Sequence, residues 1–156
     1  MKYYLLAIGN RMPSWVNAGV QEYQKRLPKE MPLIVREIPA VKRDKNAVIS
    51  QCIEKESRLL CEGIGERAHV VLLDVNGEIW STEELAVSIK QWQLLRNDIY
   101  FLIGGADGVD QQCREKAHQS WSLSRLTLPH PLVRIIVAEQ LYRAMTVLQN
   151  HPYHRS

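Results

Sequence analysis

From one end to the other the chain alternates short apolar runs with longer amphipathic stretches, and that alternation limits the folds open to it. KYYLLAIG (2–9) carries no charge after its lysine, the pattern of a strand covered on both faces. Pro13 then stands where a helix can begin. Val16, Val20, Tyr23 and Leu27, spaced four, three and four, form a helical stripe that Pro28 ends. LIVREI (33–38) reads as a second strand, 46–62 as a helix and AHVVLLD (68–74) as a third strand. Ser81-Thr82-Glu83-Glu84 has the form of a capping box, opening a helix that runs to about Leu95. DIYFLIGG (98–105) is a further strand, 109–118 a short helix, WSLSRL (121–126) a last extended piece and 131–149 a long closing helix.

Strands alternating with helices predict an α/β fold, a mostly parallel sheet with helices on both faces. The 156 residues suit one domain, 1–156, and nothing in them reads as a linker or a repeat. In such sheets ligands bind beyond the carboxyl ends of the strands. That rule selects the loops after Ile8, after Leu73 and Asp74, and after Ile103.

The closing helix is apolar around most of its circumference, with Leu132, Ile135, Ile136, Leu141, Tyr142 and Val147 pointing in different directions. A helix packed on a sheet needs only a stripe. The excess is explained either by a second copy of the chain, forming a homodimer, or by another helix of the same chain.

Twenty Lys and Arg against seventeen Asp and Glu leave a formal charge of only +3, so bulk charge does not demand a nucleic-acid partner. Two local clusters, Lys25, Arg26 and Lys29, then Lys42, Arg43 and Lys45, can meet phosphates or simply face solvent. Cys52, Cys61 and Cys113 match neither a CxxC motif nor a zinc pattern and read as reduced, structural thiols. No apolar run reaches the length of a membrane span, and no cleavage-site pattern follows the first strand. A soluble, cytoplasmic protein is expected.

The glycines fall in the wrong place for the common nucleotide folds. The turn after the first strand is G9-N-R-M-P, with no GxGxxG, and no Walker A sequence occurs. The cluster comes late, as G104-G-A-D-G108, either a tight strand-to-helix turn or a place where backbone approaches a ligand. Next, S122-L-S-R-L-T-L-P-H-P-L-V-R134 sets hydroxyls among leucines and brackets His130 with prolines. The prolines stiffen this loop. Its leucines can pack on a flat ring while main-chain groups read the ring's polar edge, as adenine recognition requires.

FLIGGADG (101–108), QSWSLSRLTLPHPLVRIIVAEQLYRA (119–144) and NHPYHR (150–155), with LLAIGNRMPSWV and EIPAVKRDKN in the same register, closely resemble the RlmH family of SPOUT-class methyltransferases over essentially the whole chain. The resemblance implies a C-terminal deep trefoil knot, an exception to the rule of unknotted chains, and a homodimer. It also implies an S-adenosyl-L-methionine site at Leu73, Gly104 and Gly105 and along Leu123, Ser124, Arg125, Leu126, Thr127 and Leu128. No metal is implied. Members of that family methylate N3 of a pseudouridine in the helix 69 loop of 23S rRNA on the assembled ribosome. A small domain of low net charge grips naked RNA weakly, which suits a requirement for the whole particle.

Methyl transfer from a sulfonium is an in-line displacement, so alignment of donor and acceptor matters most. A nearby cation or donor that stabilises the anion developing on the base accelerates the step. Catalytic candidates are Tyr153, His154 and Arg155, able to supply a stacking ring, a base and an anion-stabilising guanidinium. Without the resemblance they read as surface residues of a tail. In SPOUT dimers the acceptor site is composite, so one subunit's tail is expected to complete the other's pocket. His130 either faces a ligand or bonds to nearby backbone at its helix start, the latter being the expectation. Asp107 either touches cofactor or caps the helix after it. Arg134 is a candidate RNA contact, and Arg143 can pair with Glu139 at i, i+4. The rival readings are a non-catalytic ribosome-associated factor and a flavodoxin-like nucleotide binder, the second resting on fold class alone.

Overall fold

A computed structural model describes residues 1–155. The elements follow in the order β1 (Tyr3–Ile8), α1 (Ser14–Gln24), β2 (Leu33–Ile38), α2 (Ile49–Glu62), β3 (Ala68–Ile79), α3 (Thr82–Leu95), β4 (Asp98–Ile103), α4 (Gln111–Lys116), β5 (Gln119–Ser122) and α5 (His130–Leu148). All strand pairs are parallel, and the sheet order is β2-β1-β4-β3-β5.

β1, between β2 and β4, is buried at every position, which explains its unbroken apolar run. Its alternate side chains feed two cores. Tyr3, Leu5 and Ala7 join Phe101, Ile89, Val137 and Leu141, under α1, α3 and α5. Tyr4, Leu6 and Ile8 join Leu72, Leu102, Leu60 and Cys113, under α2 and α4. Period-two alternation thus places helices on both faces of the sheet. The capping box forms as expected: Ser81 Oγ accepts from the Glu84 N–H at 3.1 Å, and Glu84 Oε2 accepts from the Ser81 N–H at 2.7 Å.

Two strands differ from the sequence expectation, and α2 begins at Ile49 instead of 46. β3 runs five residues past Asp74 because it leaves β5 after Leu73 and rejoins it at Glu78, with both residues opposite Trp121. The bowed segment is the turn-prone DVNG, held by the Asn76 N–H donating to Asp74 Oδ1 at 3.0 Å. The last extended piece ends at Ser122 instead of Leu126. Beyond it, Ser122 Oγ donates to the Ser124 carbonyl and Ser124 Oγ accepts from the Leu126 N–H, so serine side chains replace the ladder partners.

At Gly77 the β3 backbone crosses β5 so closely that a Cβ would lie 2.7 Å from both the Ser120 carbonyl carbon and the Trp121 nitrogen. Neither neighbour is a side chain able to swing away. Gly77→Ala is expected to cost about 1–3 kcal/mol, the scale of overpacking, and urea unfolding monitored by tryptophan fluorescence reads it.

The closing helix is covered partly from within the chain. α1 and α3 flank it, and Gly19 of α1 admits the Ile135 side chain, whose Cδ1 would lie 3.0 Å from a Cβ there. An outward strip remains, with Leu132 exposed and Ile136 half-buried. Among the described residues no helix is long and apolar enough to cross a membrane.

The candidate ligand cavity and the C-terminal tail

The bow within β3 and the segments leaving the carboxyl ends of β4 and β5 enclose a cavity of about 430 Å³, the size of a small-molecule site. Leu73, Asp74 and Val75 form one wall, Ile103 to Ala106 and Gly108 a second, and the run from Trp121 to Leu128 most of a third. Of the positions expected to hold a cofactor, Leu73, Gly104, Gly105, Leu123, Ser124, Leu126, Thr127 and Leu128 all line it. Arg125 does not; it is exposed at the tip of the turn. The loop after Ile8 is not part of the wall either, and its place is taken by the β5–α5 connection.

The GGADG segment forms the tight turn expected of it and also lines the cavity. The Gly108 N–H donates to the Gly105 carbonyl at 3.1 Å, and Gly108 has φ +78°, so the run closes on itself as a turn. The same turn presents bare backbone to the cavity. A Cβ on Gly104 would lie 2.9 Å from the Gly108 carbonyl carbon, and one on Gly105 would press on Ile8.

Behind that turn lies an ionic network that the sequence did not announce. Glu56 of α2 is buried, accepts from Arg43 Nη1 and Nη2 at 2.6 and 2.9 Å, and also accepts from the Val41 N–H. Arg43 Nε donates to Asp107 at 2.9 Å. Two expectations are corrected here. Arg43 is occupied with these carboxylates, leaving Lys42 and Lys45 as the exposed cations of its cluster. Asp107 is not a cap; the α4 cap is Asp110, whose Oδ1 accepts from the Gln112 N–H. In the first basic cluster, Lys25 and Arg26 both pair with Glu22.

Arg134 is likewise not a candidate RNA contact. Its side chain is 2% exposed, with Nη1 donating to Glu37 at 2.6 Å and Nη2 to the carbonyls of Ile8 and Gly9 at 3.1 and 2.7 Å. It is the tie between α5 and the end of β1. One turn earlier, His130 lines the cavity, but its buried Nδ1 has no hydrogen-bond partner, which corrects the expectation of a backbone bond. Burial first, then the Arg134 charge, lower its pKa below the usual histidine value, against an opposing pull from Glu56.

Tyr153, His154 and Arg155 do not line this cavity. Tyr153 and His154 fold back onto α5 and α3 of their own chain. The Tyr153 hydroxyl donates to Glu139 at 3.0 Å, and its ring meets Tyr142 edge-on at 4.7 Å. Arg143 donates Nε–H to Glu139 at 2.7 Å, as the i, i+4 spacing predicts, and lies 4.6 Å over the Tyr153 ring. Burial, then the bond to Glu139, push the Tyr153 phenol up to about 12, so it stays protonated at neutral pH. His154 Nε2 meets Glu83 at 2.8 Å and its Nδ1 meets Arg143 Nη1 at 3.4 Å. Carboxylate only accepts and guanidinium only donates, so the tautomer with its proton on Nε2 satisfies both. Arg155 is exposed.

The cysteines are free thiols. Cys61 and Cys113 touch at 3.8 Å between α2 and α4, and burial pushes Cys113 up to about 12.

Comparison with known proteins agrees with this geometry. The family described as "Predicted SPOUT methyltransferase" matches residues 1–154. Ribosomal RNA large subunit methyltransferase H from Methylococcus capsulatus is 52% identical over 155 residues, covering 99% of this chain and 100% of that protein. A probable methylase family protein of known structure from Haemophilus influenzae superposes with a TM-score of 0.55 at 9% identity, over 99% of this chain and 70% of that one. This last likeness speaks to the fold alone. Model match and full-length relative together place the chain in the SPOUT methyltransferases, as a member of the RlmH family.

Proposed function

We propose that this protein is an S-adenosylmethionine-dependent methyltransferase of large-subunit ribosomal RNA, acting as a homodimer in the cytoplasm on N3 of a pseudouridine in the helix 69 loop of the assembled ribosome. The carrying observation is the cavity itself: glycine backbone and leucine side chains from the bow of β3 and the segments after β4 and β5 line a space of small-molecule size, which supports a nucleoside-bearing cofactor. Gly104 and Gly105, kept free of side chains by close packing on Gly108 and Ile8, add bare backbone to the cavity wall and support this reading. The name of the full-length relative supports the rRNA substrate. The deep trefoil knot implied by the family belongs to the same proposal.

The chemistry supplied by the bound cofactor is an electrophilic methyl on a sulfonium sulfur. The chain's own part is to hold that ligand by backbone at Gly104 and Gly105 and by the leucines of 123–128, excluding water from the reacting face. The tail, docked away from its own cavity, supports a composite site in which Tyr153, His154 and Arg155 of one subunit serve the cavity of the other. Tyr153, protonated at neutral pH, offers a stacking ring rather than a base. His154 offers a proton acceptor at Nδ1 once its long contact with Arg143 is released, and the exposed Arg155 guanidinium stabilises charge on the flanking carbonyl oxygens. The half-exposed strip of Leu132 and Ile136 on α5 supports the dimer.

Mass spectrometry of the helix 69 hairpin, after incubation of ribosomes with protein and cofactor, tests the reading. One added methyl on pseudouridylated ribosomes and none on unmodified ones is expected. No methyl on either, despite ribosome binding, would leave a non-catalytic factor; methyl on both would refute the pseudouridine requirement.

A further inference from the structure

Two side-chain polar atoms are buried without partners, His130 Nδ1 and Arg134 Nε; of the two residues only His130 lines the cavity. A buried polar atom left unpaired is costly, so an unpartnered imidazole on the wall of a ligand cavity calls for an explanation. Both side chains stand over the carboxyl end of β1. Arg134 Nη2 and His130 Cε1 lie 3.4 and 3.7 Å from where a Cβ of Gly9 would be, with Met12 Cε at 3.1 Å, so Gly9, at φ +111°, lets these side chains pack closely on the turn.

A neutral imidazole presents one acceptor and one donor, and neither ring nitrogen of His130 has a hydrogen-bond partner among the described residues, Nδ1 being buried and Nε2 not. The ring borders the cavity, so Nε2 is the nitrogen left for a ligand, and an acceptor there draws the imidazole proton to it. The charged groups acting on the ring are Arg134 of its own helix and Glu56 of α2; Asp74, paired with Arg114, lines the same cavity. Glu37 and Arg43 are already paired, with Arg134 and with Glu56.

We propose that His130 contacts the cofactor, its Nε2–H donating to an acceptor oxygen of the bound ligand as an uncharged imidazole. Neutrality matters because the ligand carries a sulfonium. A histidine cation on the cavity wall would repel it, whereas the demethylated thioether product lacks that positive charge. An uncharged His130 therefore admits the methyl donor without penalty while a charged one selects against it, and the inference rests on the cofactor reading above.

The test is calorimetric titration of the full-length protein with S-adenosylmethionine and with S-adenosylhomocysteine between pH 7.5 and about pH 5, a range spanning the ordinary histidine pKa. His130→Leu is expected to weaken methyl-donor binding about tenfold, the worth of one lost hydrogen bond. His130→Gln, which keeps an uncharged donor, is expected to restore it. In the unsubstituted protein, binding of the sulfonium weakens more than that of the thioether as pH falls below the ordinary histidine range, because the ring gains charge there. His130→Gln loses that difference. If the unsubstituted protein binds neither ligand, the cofactor reading itself fails. If it binds both, and His130→Leu and His130→Gln keep its affinities and pH dependence, the cofactor reading stands and the role of His130 is overturned. Should His130→Leu not fold, the pH comparison of His130→Gln with the unsubstituted protein decides alone.

Discussion

Replacing Arg155 by alanine is expected to slow methyl transfer to the rRNA hairpin by about 10²–10³-fold, the scale for removing one anion-stabilising donor, while leaving cofactor binding unchanged. The separation follows from placement. Arg155 is exposed and outside the wall of the cavity in its own chain, so its loss removes nothing from the Leu73, Gly104 and 123–128 cradle. Single-turnover methylation and calorimetric cofactor titration on the same preparation read the two quantities. Equal loss of both would refute the division of labour between cavity and tail. Arg155→Lys is expected to recover part of the rate, since it keeps the charge without the planar fork.

The second large effect is on stability. Arg134→Ala is expected to lower the unfolding free energy by about 3 kcal/mol, because it strands the Ile8 and Gly9 carbonyls and leaves a void under α5. Glu37, 31% exposed, can rehydrate, so the cost comes mainly from the carbonyls and the void. For a domain of this length the melting temperature is expected to fall by about 6–12 °C, measurable by calorimetry. A change near zero would mean that the tie between α5 and β1 contributes nothing.

Which parts were legible from sequence follows from the range of the forces involved. The all-parallel α/β fold was readable because the β1 run, the 16-20-23-27 stripe and the Ser81–Glu84 box are local signals, set within a few residues by period and capping. The departures are places where distant chain competes with local preference. β3 continues past DVNG because Glu78 and Ile79 find β5 again, and β5 stops early because Ser122 and Ser124 bond to nearby backbone.

The cavity residues were accessible chiefly through the family resemblance, and Arg125 shows its limit: one position in the run points to solvent. Arg43, Asp107 and Arg134 were misread for a common reason. A charged residue looks solvent-facing in sequence unless its partner is close, and here Glu56, Arg43 and Glu37 arrive from 13, 64 and 97 residues away.

Sequence by itself determined the order of elements, the parallel sheet and the loops rich in glycine and proline, because backbone propensity and apolar periodicity act over one or two turns. Only the tertiary structure decided which charges are buried ties, that His130 keeps an orphaned nitrogen beside the cavity, and that Tyr153 and His154 fold back on α5 and α3. Those outcomes depend on which strand end comes to lie beside which helix, and burial then makes each unpaired charge too costly to leave alone.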